Sequence, residues 1–483
     1  MTQAQDLSTA ISDFVKGCKA DGLWDSIEHC HVLAAWDGLD GIKIPIKGSA
    51  GSFLSFVAAD YDRTTGLNSD STIKTIETGF YSAPGKQDNF HVAAYINSGS
   101  SLTSRWLITQ STSSATSFGA YRGRSGWEIS GSSAGRKFGP AFSSPGLLAS
   151  SRDNSASFDY ELFDDSGTIT SNSNAWTYAQ EFDMFLDTAE CRSPFYSLGS
   201  ALDLEKYRQR IEALINGIEY ATNPDANAVS YIQAVEAADG QPLEFGVAAA
   251  INGLVKRLKD DALWTAIEHC ALLAGPRTLD GILTPLKGTG PSMPAGSEFV
   301  ESDYSRKLGL QGSATGVQPY LLTGVASTQL QQDNNHASVY ISEFGTHTPS
   351  GFQIIFRAAN SSIQHGFNIA MGSTPADSTL KSRNFTTNGY TSPVGFVTSG
   401  PTLVCNTRNT ASSFSSYAHN ASATTNISST AMSSDVYEVF GQGNSNNFDG
   451  KLAFYSLGTY MGDMPLLDYR VKNYLAQVAN AIA

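Results

Sequence analysis

The chain has 483 residues, which is enough for two or three domains that each bury a hydrophobic core. Only 16% of the residues are charged, against about 25% in an ordinary soluble protein, and the formal net charge is −14. This negative charge would repel a phosphate backbone and excludes nucleic acid as an expected partner. An aromatic content of 11% excludes disorder and, with the low charge, favours a mainly β protein with an extracellular or virion type of surface.

The two halves of the sequence repeat each other. Residues 10–48 and 250–288 align without a gap and are identical at 21 of 39 positions. Three further motifs recur in the same order: Asp-Tyr-x-Arg (60–63 and 303–306), His-x-x-x-Tyr-Ile (91–96 and 336–341) and Phe-Tyr-Ser-Leu-Gly (195–199 and 454–458). A period of about 240 residues is the size of a domain, so we predict two homologous domains, 1–222 and 223–483.

Each domain is predicted to open with two helices. The first has one apolar face, repeated at 250–255 and formed by Ala10, Ile11, Phe14 and Val15. A second helix is predicted after a break, with Asp21 and its counterpart Asp261 as N-caps. Its apolar face would consist of Leu23, Trp24, Ile27 and Cys30.

The middle of each domain changes to the composition of β-strands. Short β-rich runs separated by Gly, Ser and Asn predict an antiparallel sandwich. The predicted strands are 91–96, 105–109, 157–163 and 182–185 in the first domain, and 336–341, 352–356, 395–398 and 436–440 in the second. The Ser/Thr-rich stretch 409–431 contains interspersed aromatic and aliphatic residues, which favours polar strands and a long loop over a disordered spacer.

Both domains are predicted to end with an amphipathic helix. The apolar stripes are Tyr207, Ile211, Leu214, Ile215 and Ile218 in the first, and Val471, Tyr474, Leu475, Val478 and Ile482 in the second. Leading linker helices are predicted at about 226–258 in the second domain. The first part of this stretch has no copy before residue 10.

The sequence also predicts a compartment. Residues 1–10 lack the apolar core of a secretory signal, and no run of about 18 apolar residues could span a membrane. Only two of the five cysteines, Cys30 and Cys270, are repeat counterparts; the others are Cys18, Cys191 and Cys405. An unmatched set is typical of reduced, mostly buried thiols made in a cytosol.

Three polar motifs were considered as metal sites. Glu28, His29, Cys30 and His31 are consecutive, but on a helix they would point about 100° apart, and the second domain has lost the last histidine; a packed helix junction is therefore expected. The repeated aspartates of the Leu-Asp-Gly and Asp-Tyr motifs could bind calcium, although turn formation is the more common role. They are Asp40, Asp280, Asp60 and Asp303. His91 and His336 are expected to be strand histidines rather than ligands.

Two features were considered as carbohydrate sites. Glu181 and Asp183 resemble the strand carboxylates of laminarinase-type glycosidases, but no third acid follows on the same strand face. We therefore expect solvated carboxylates at a strand edge. For glycan binding, the candidate aromatic residues are Tyr121, Trp127 and Tyr390, which share no pattern between the domains.

The helical opening also carries a family resemblance. Residues 231–243 read Tyr-Ile-Gln-Ala-Val-Glu-Ala-Ala-Asp-Gly-Gln-Pro-Leu and precede the Leu-Trp-x-x-Ile, Leu-Asp-Gly, Asp-Tyr-x-Arg-x-x-Gly-Leu and Phe-Tyr-Ser-Leu-Gly motifs. This order resembles the repeated module of virion structural proteins in tailed bacteriophages of cyanobacteria and marine bacteria. The first domain departs from the pattern because it lacks the leading stretch.

The resemblance implies concanavalin A-like or laminin G-like jelly rolls flanked by helices. It implies a non-enzymatic virion structural protein, part of a fibre or an external capsid or tail decoration, without cofactor or metal. Partners would be copies of the chain, with a trimer suspected, and other virion proteins, with no membrane insertion. The alternatives are a carbohydrate-binding adhesin for host surface polysaccharide and a polysaccharide depolymerase.

Overall fold

The structure is a computed structural model in which two compact units are recognised, Met1–Pro224 and Asp225–Ala483. It describes residues 3–69, 74–81, 86–99, 105–110, 119–123, 126–130, 136–138, 145–163, 165–170, 181–185, 191–296, 298–313, 319–345, 352–359, 364–370, 379–386, 400–431, 434–441 and 448–482. The fold is mainly β, with several antiparallel sheets.

Helices lie at the ends of each unit. In the first unit they are α1 (Gln3–Ala20), α2 (Leu39–Ile42) and α3 (Leu204–Thr222). In the second they are α4 (Ala226–Asp239), α5 (Phe245–Asp260), α6 (Leu263–Ala266), α7 (Leu279–Ile282) and α8 (Met464–Ala481). The predicted first opening helix, the closing helices and the linker helices are confirmed.

The described residues of the first unit form three antiparallel sheets. Its strands are β1 (Ile27–Val32), β2 (Ser52–Leu54), β3 (Tyr61–Asp62), β4 (Gly66–Ser69), β5 (Thr75–Tyr81), β6 (Phe90–Ile96), β7 (Ser98–Gly99), β8 (Arg105–Gln110), β9 (Gly119–Gly123), β10 (Gly126–Ser130), β11 (Arg136–Phe138), β12 (Gly146–Arg152), β13 (Ser157–Leu162), β14 (Asp165–Thr170), β15 (Glu181–Met184), β16 (Cys191–Ser193) and β17 (Phe195–Gly199). The sheet orders are β1-β17-β6-β12-β13-β14, β11-β10-β9-β8-β15-β5-β2 and β3-β4-β16-β7.

In the second unit, the part of the chain that the structure describes forms two antiparallel sheets. Its strands are β18 (Ile267–Leu272), β19 (Tyr304–Ser305), β20 (Gly309–Gln311), β21 (Leu321–Ala326), β22 (Asn335–Glu343), β23 (Phe352–Ala359), β24 (Gln364–Ala370), β25 (Thr379–Thr386), β26 (Thr402–Thr410), β27 (Ser413–Ala418), β28 (Ala421–Asn426), β29 (Val436–Val439) and β30 (Lys451–Gly458). One sheet has the order β19-β20-β30-β22-β26-β27-β28, with β18 also paired to β30, and the other has the order β21-β29-β23-β24-β25.

Most predicted strands are present within a residue or two of their expected bounds. The Ser/Thr-rich stretch 409–431 forms the β27–β28 hairpin, as predicted, because its few apolar residues alternate with polar ones along a half-buried ladder. The predicted strand 395–398 lies outside the described residues. In each unit the apolar faces of the sheets enclose one core, to which strands β6, β13 and β15 contribute in the first unit and β22, β23 and β29 in the second.

The predicted second opening helix is wrong. After a short turn of helix at Trp24–Ser26, the chain continues as strand β1, and its counterpart is strand β18. Asp21 and Asp261 are therefore not N-caps; Asp261 follows the last turn of α5. The error has a physical cause: β1 is buried along most of its length, so its residues do not alternate in polarity, and its hydrogen bonds come from the distant β17.

Candidate functional site

The tryptophan of each helical opening lies between two lysines. In the first unit, Lys19 and Lys47 place their ammonium groups 5.7 and 5.0 Å from the ring centre of Trp24. Lys259 and Lys287 do the same for Trp264, at 5.6 and 4.8 Å. Lys47 also donates to the backbone carbonyl of Trp24 at 2.6 Å, and Lys287 repeats this bond with Trp264 at 2.8 Å. Both rings are half-buried, so the repeated motif stabilises the junction between helix and sheet.

The first metal candidate is a strand and not the expected helix junction. His29 and His31 lie two positions apart on β1 with their ring centres 5.0 Å apart, and both stack on Tyr196. His29 bonds the Tyr196 hydroxyl at 3.1 Å, and His31 bonds the carbonyl of Ile42 at 3.1 Å. Burial lowers the pKa of His29 to about 4, so the ring is neutral.

No metal cluster forms around these histidines in the described part of the chain. There, no group of three or more His, Cys, Asp or Glu side chains could hold a metal ion. The position of His31 is Ala271 in the second unit. The buried rings of the first unit therefore contribute packing to strand β1.

The aspartates considered as calcium ligands make short-range contacts within their own turns. Asp60 accepts the amide of Val57 at 2.8 Å, and Asp303 accepts the amide of Val300 at 2.9 Å. Asp60 also forms a buried ion pair with Lys74 at 2.6 Å. The other two aspartates lie in matching four-residue helices, where Asp40 pairs with Lys43 at 2.7 Å and Asp280 is exposed. These contacts assign the repeated aspartates to turns.

The strand histidines are buried and hydrogen-bonded, as the sequence predicted. His91 bonds the carbonyl of Ser200 at 2.7 Å and the hydroxyl of Ser197 at 3.2 Å. His336 makes the matching pair of bonds at 2.6 and 2.9 Å in the second unit. Burial lowers the pKa of both histidines to about 4. In both units the histidine therefore ties its strand to the serine of the Phe-Tyr-Ser-Leu-Gly strand and to the residue that follows that strand.

A cluster of carboxylates lies on the outer face of β15 and β5 in the first unit. Glu181 accepts the amide of Gly79 at 2.6 Å and the hydroxyl of Tyr81 at 3.1 Å. Asp183 lies directly opposite Glu77 in the strand register, so three carboxylates share one face. Asp183 is 8% exposed, and its Oδ1 has no hydrogen-bond partner among the described residues. Burial and the charges of Glu181 and Glu77 raise the pKa of Asp183 to about 6.

In the second unit, the carboxylate at the matching position is paired with an arginine. Aligned on Phe185 and Phe440, Asp183 corresponds to Glu438, whose carboxylate lies 3.6 Å from the guanidinium of Arg357. The residue paired with Glu438 on the neighbouring strand is Arg357, whereas the residue paired with Asp183 is Thr109. The expected edge of solvated carboxylates is therefore wrong for Asp183. Sequence reasoning missed Glu77 because it belongs to another strand.

A polar groove lies on the outer face of the first unit. Its floor consists of outward-facing residues of β12, β13 and β14, which the strand register places side by side: Ser151, Asp159, Glu161, Ser166 and Thr168. Its wall is the turn that leads into α3, residues 201–205. The volume is about 590 Å³, within the range of roughly 300–1,000 Å³ that is common for small-molecule sites.

Three of the groove carboxylates, Asp159, Asp203 and Glu161, have a defined neighbour. Thr168 donates to Asp159 at 2.6 Å, and Asp203 caps α3 by accepting the amide of Lys206 at 3.1 Å. Glu161 is 4% exposed and lies 3.6 Å from the guanidinium of Arg208. Burial raises the pKa of Glu161 to about 8 against the opposing effect of Arg208.

The aromatic residues proposed for glycan binding fall where the structure does not describe side chains. Tyr121 and Trp127 lie in the neighbouring strands β9 and β10, but their side chains are outside the described part of the structure. Tyr390 lies outside the described residues. The groove residues were missed because no motif marks them, although a position-by-position comparison of the two repeats would have shown Asp159 and Glu161 as differences.

Comparisons with known proteins do not assign a family. No protein-family model and no curated protein matches the chain. Solved structures with weak similarity include a Trypanosoma rangeli sialidase (9% identity, 67% of this chain, 50% of that chain, TM-score 0.32). They also include the botulinum neurotoxin serotype D binding domain (10% identity, 43% of this chain, 51% of that chain, TM-score 0.28). The chain therefore spans about half the length of these structures, and similarity at this level assigns no activity.

The prediction that the chain is not an enzyme is corrected. The sequence argument does not stand as an exclusion of enzymatic activity. Its premise was that β15 lacks a further acid, and the sheet supplies Glu77 from β5 on the same face. Among the described residues, no helix combines the length and the hydropathy that a membrane-spanning segment requires.

Proposed function

We propose that the chain is a structural protein of a tailed-bacteriophage virion, part of a fibre or of an external capsid or tail decoration. Each unit would be a jelly-roll module flanked by helices, made in the host cytoplasm and assembled onto the particle. The proposal combines the sequence resemblance of the helical opening with a structural observation that concerns the repeated residues.

The observation that carries the proposal is that the shared contacts are internal to each unit. The repeated tryptophan–lysine contacts, the strand histidines and the aspartate turns all join elements of one unit to each other. Two ion pairs also recur, between Arg210 and Asp21 and between Arg470 and Asp261, each at 2.7 Å. Duplication has thus preserved the features that build a rigid module, which is what a repeated structural part requires.

The direct test is the protein content of purified particles. We expect quantitative mass spectrometry of density-banded virions, made from the genome that encodes this chain, to find it at several copies per particle. A phage enzyme that acts inside the host serves as the control and should be removed by the banding. Recovery of the chain only from the soluble lysate would reject the virion role.

The oligomeric state is a second part of the proposal. The suspected trimer would have a mass of three times 51.4 kDa in light scattering after size exclusion. Closed, symmetric homo-oligomers are the usual state of structural assemblies. A monomer at all concentrations would reject the trimer and would leave the particle analysis as an independent test.

A further inference from the structure

The groove of the first unit differs from its counterpart at selected positions. The wall is conserved between the units: the amide of Leu202 donates to the Ser151 hydroxyl at 2.9 Å, and the amide of Met461 donates to the Thr407 hydroxyl at 2.8 Å. The floor is not conserved, because the register aligns Asp159 with Ser415. The shared scaffold therefore carries different chemistry in the two units.

The position of Glu161 also carries different chemistry in the two units. Its counterpart is Tyr417, which is buried and donates its hydroxyl to Asp468 at 2.9 Å. Asp468 occupies the place of Arg208 in the closing helix. The second unit thus fills the floor with an aromatic ring, whereas the first unit has carboxylates and hydroxyls there.

The groove supplies both kinds of hydrogen-bonding group. Asp159 and Asp203 offer acceptor oxygens, and the hydroxyls of Ser166 and Thr168 can donate or accept. The Glu161 carboxyl adds acceptor oxygens at the floor, where it is 4% exposed and lies 3.6 Å from the guanidinium of Arg208. A ligand that matches this lining must itself carry many donors and acceptors within a few ångströms, as a sugar ring does.

Charge narrows the class of ligand. An anionic sugar would bring its carboxylate or sulfate against Asp153, Asp159, Asp203 and Glu205, which line the groove. A polyamine would find part of this negative charge already compensated, because Glu161 faces Arg208 and Asp203 lies 3.4 Å from the Lys206 ammonium. Hydroxyl groups can use the remaining lone pairs of these oxygens without adding charge.

We propose that the groove between the β13–β14 hairpin and the start of α3 binds a neutral saccharide, with Asp159 as the principal acceptor of its hydroxyl groups. This inference goes beyond the virion role, because the site belongs to one unit and does not depend on assembly. It makes the first unit the part of the molecule that recognises a ligand.

A glycan array with the full chain tests the proposal. The array would contain neutral hexose oligosaccharides, sialylated glycans and uronic-acid oligosaccharides, and titration calorimetry would follow the best neutral binder. We expect neutral glycans to bind with Kd of about 1 mM or tighter and anionic glycans to be excluded. A chain that binds no neutral glycan, or only anionic ones, would overturn the proposal.

Matched variants locate the site. Asp159→Ser places the residue of the second unit into the first at an exposed position, and we expect at least about tenfold weaker binding. Ser415→Ala at the matched position of the second unit should leave binding unchanged. Circular dichroism confirms that both variants fold. Binding that is unaffected by Asp159→Ser, or that responds to Ser415→Ala, would place the saccharide elsewhere and reject this groove.

Discussion

At the scale of single residues, the two units surround one pair of matching carboxylates, Asp183 and Glu438, with different charges. Asp183 is buried beside two other carboxylates, whereas Glu438 faces the guanidinium of Arg357. Burying a charge without compensation costs free energy, and a raised pKa measures that cost. Asp183 therefore lowers the stability of the first unit when its carboxyl is charged.

The pKa of Asp183 predicts a pH dependence. Its folded pKa of about 6 lies above the ordinary aspartate value of 3.8, so between these values the folded state holds a proton that the unfolded state has released. The stability contributed by this group is therefore present at acid pH and is lost as pH rises to about 6. Asp183→Asn should raise the free energy of unfolding at pH 7 by about 1–2 kcal/mol, with no gain at pH 3.

The matched variant in the second unit should act in the opposite direction. Glu438→Gln removes the negative charge opposite Arg357 and should destabilise its unit at pH 7 by about 1–2 kcal/mol. Urea unfolding at both pH values measures these changes, and hydrogen exchange of peptides assigns them to a unit. Equal effects of the two substitutions would contradict the assigned difference in environment.

The lysine that contacts the ring of each tryptophan and bonds its backbone carbonyl gives a second prediction. Lys47→Met keeps most of the apolar stem but removes the ammonium that contacts Trp24. Since a hydrogen bond from a charged group and a cation–π contact are lost together, we expect a loss of about 1–3 kcal/mol. Lys287→Met should have the same effect on the second unit. Hydrogen exchange that is unchanged in the peptides around Trp24 would show that the contact contributes nothing.

At the scale of secondary-structure elements, an arginine joins the opening and closing helices of each unit. Arg210 on α3 donates to both carboxylate oxygens of Asp21, just after α1, and Arg470 on α8 does so to Asp261, just after α5. The side chains differ in exposure: Arg210 and Asp21 are 15% and 22% exposed, and Arg470 and Asp261 are 8% and 2% exposed. Screening by water should therefore weaken only the first pair.

This difference predicts unequal effects of one substitution. Arg470→Ala leaves a buried carboxylate without its partner and should cost about 3 kcal/mol or more. Arg210→Ala leaves Asp21 within reach of water and should cost about 1–2 kcal/mol. Chemical denaturation measures both, with Lys451→Ala at an exposed pair with Glu343 as the control. A larger loss for Arg210→Ala would contradict this argument.

At the scale of the whole molecule, all five cysteines are free and buried, as the sequence predicted. Burial raises the pKa of Cys18 and of Cys270 to about 12, so neither is a thiolate at neutral pH. We expect no reaction with a disulfide reagent at pH 8 in the native state and five equivalents after denaturation. A reductant should leave the melting temperature unchanged. Rapid reaction of one thiol in the native protein would show that its site opens.

The sequence alone determined the duplication, the long helices and most strands. A repeat and a helical spacing are both visible in the order of residues alone. Helices α1, α3, α5 and α8 are long enough for their apolar faces to be recognised without tertiary information. The same holds for the burial of the cysteines and of His91 and His336, because apolar neighbours in the sequence are also neighbours in a strand.

Only the tertiary structure decided where strand pairing overrides local spacing. The stretch around Cys30 has helical spacing but is a strand, because β17 supplies its hydrogen bonds. Glu77 reaches Asp183, and Thr168 reaches Asp159, through the register of adjacent strands. Register joins residues that are distant in sequence or separated by a turn, and it depends on packing energies summed over whole sheets. For this reason no motif in the sequence placed Glu77 beside Asp183 or revealed the groove.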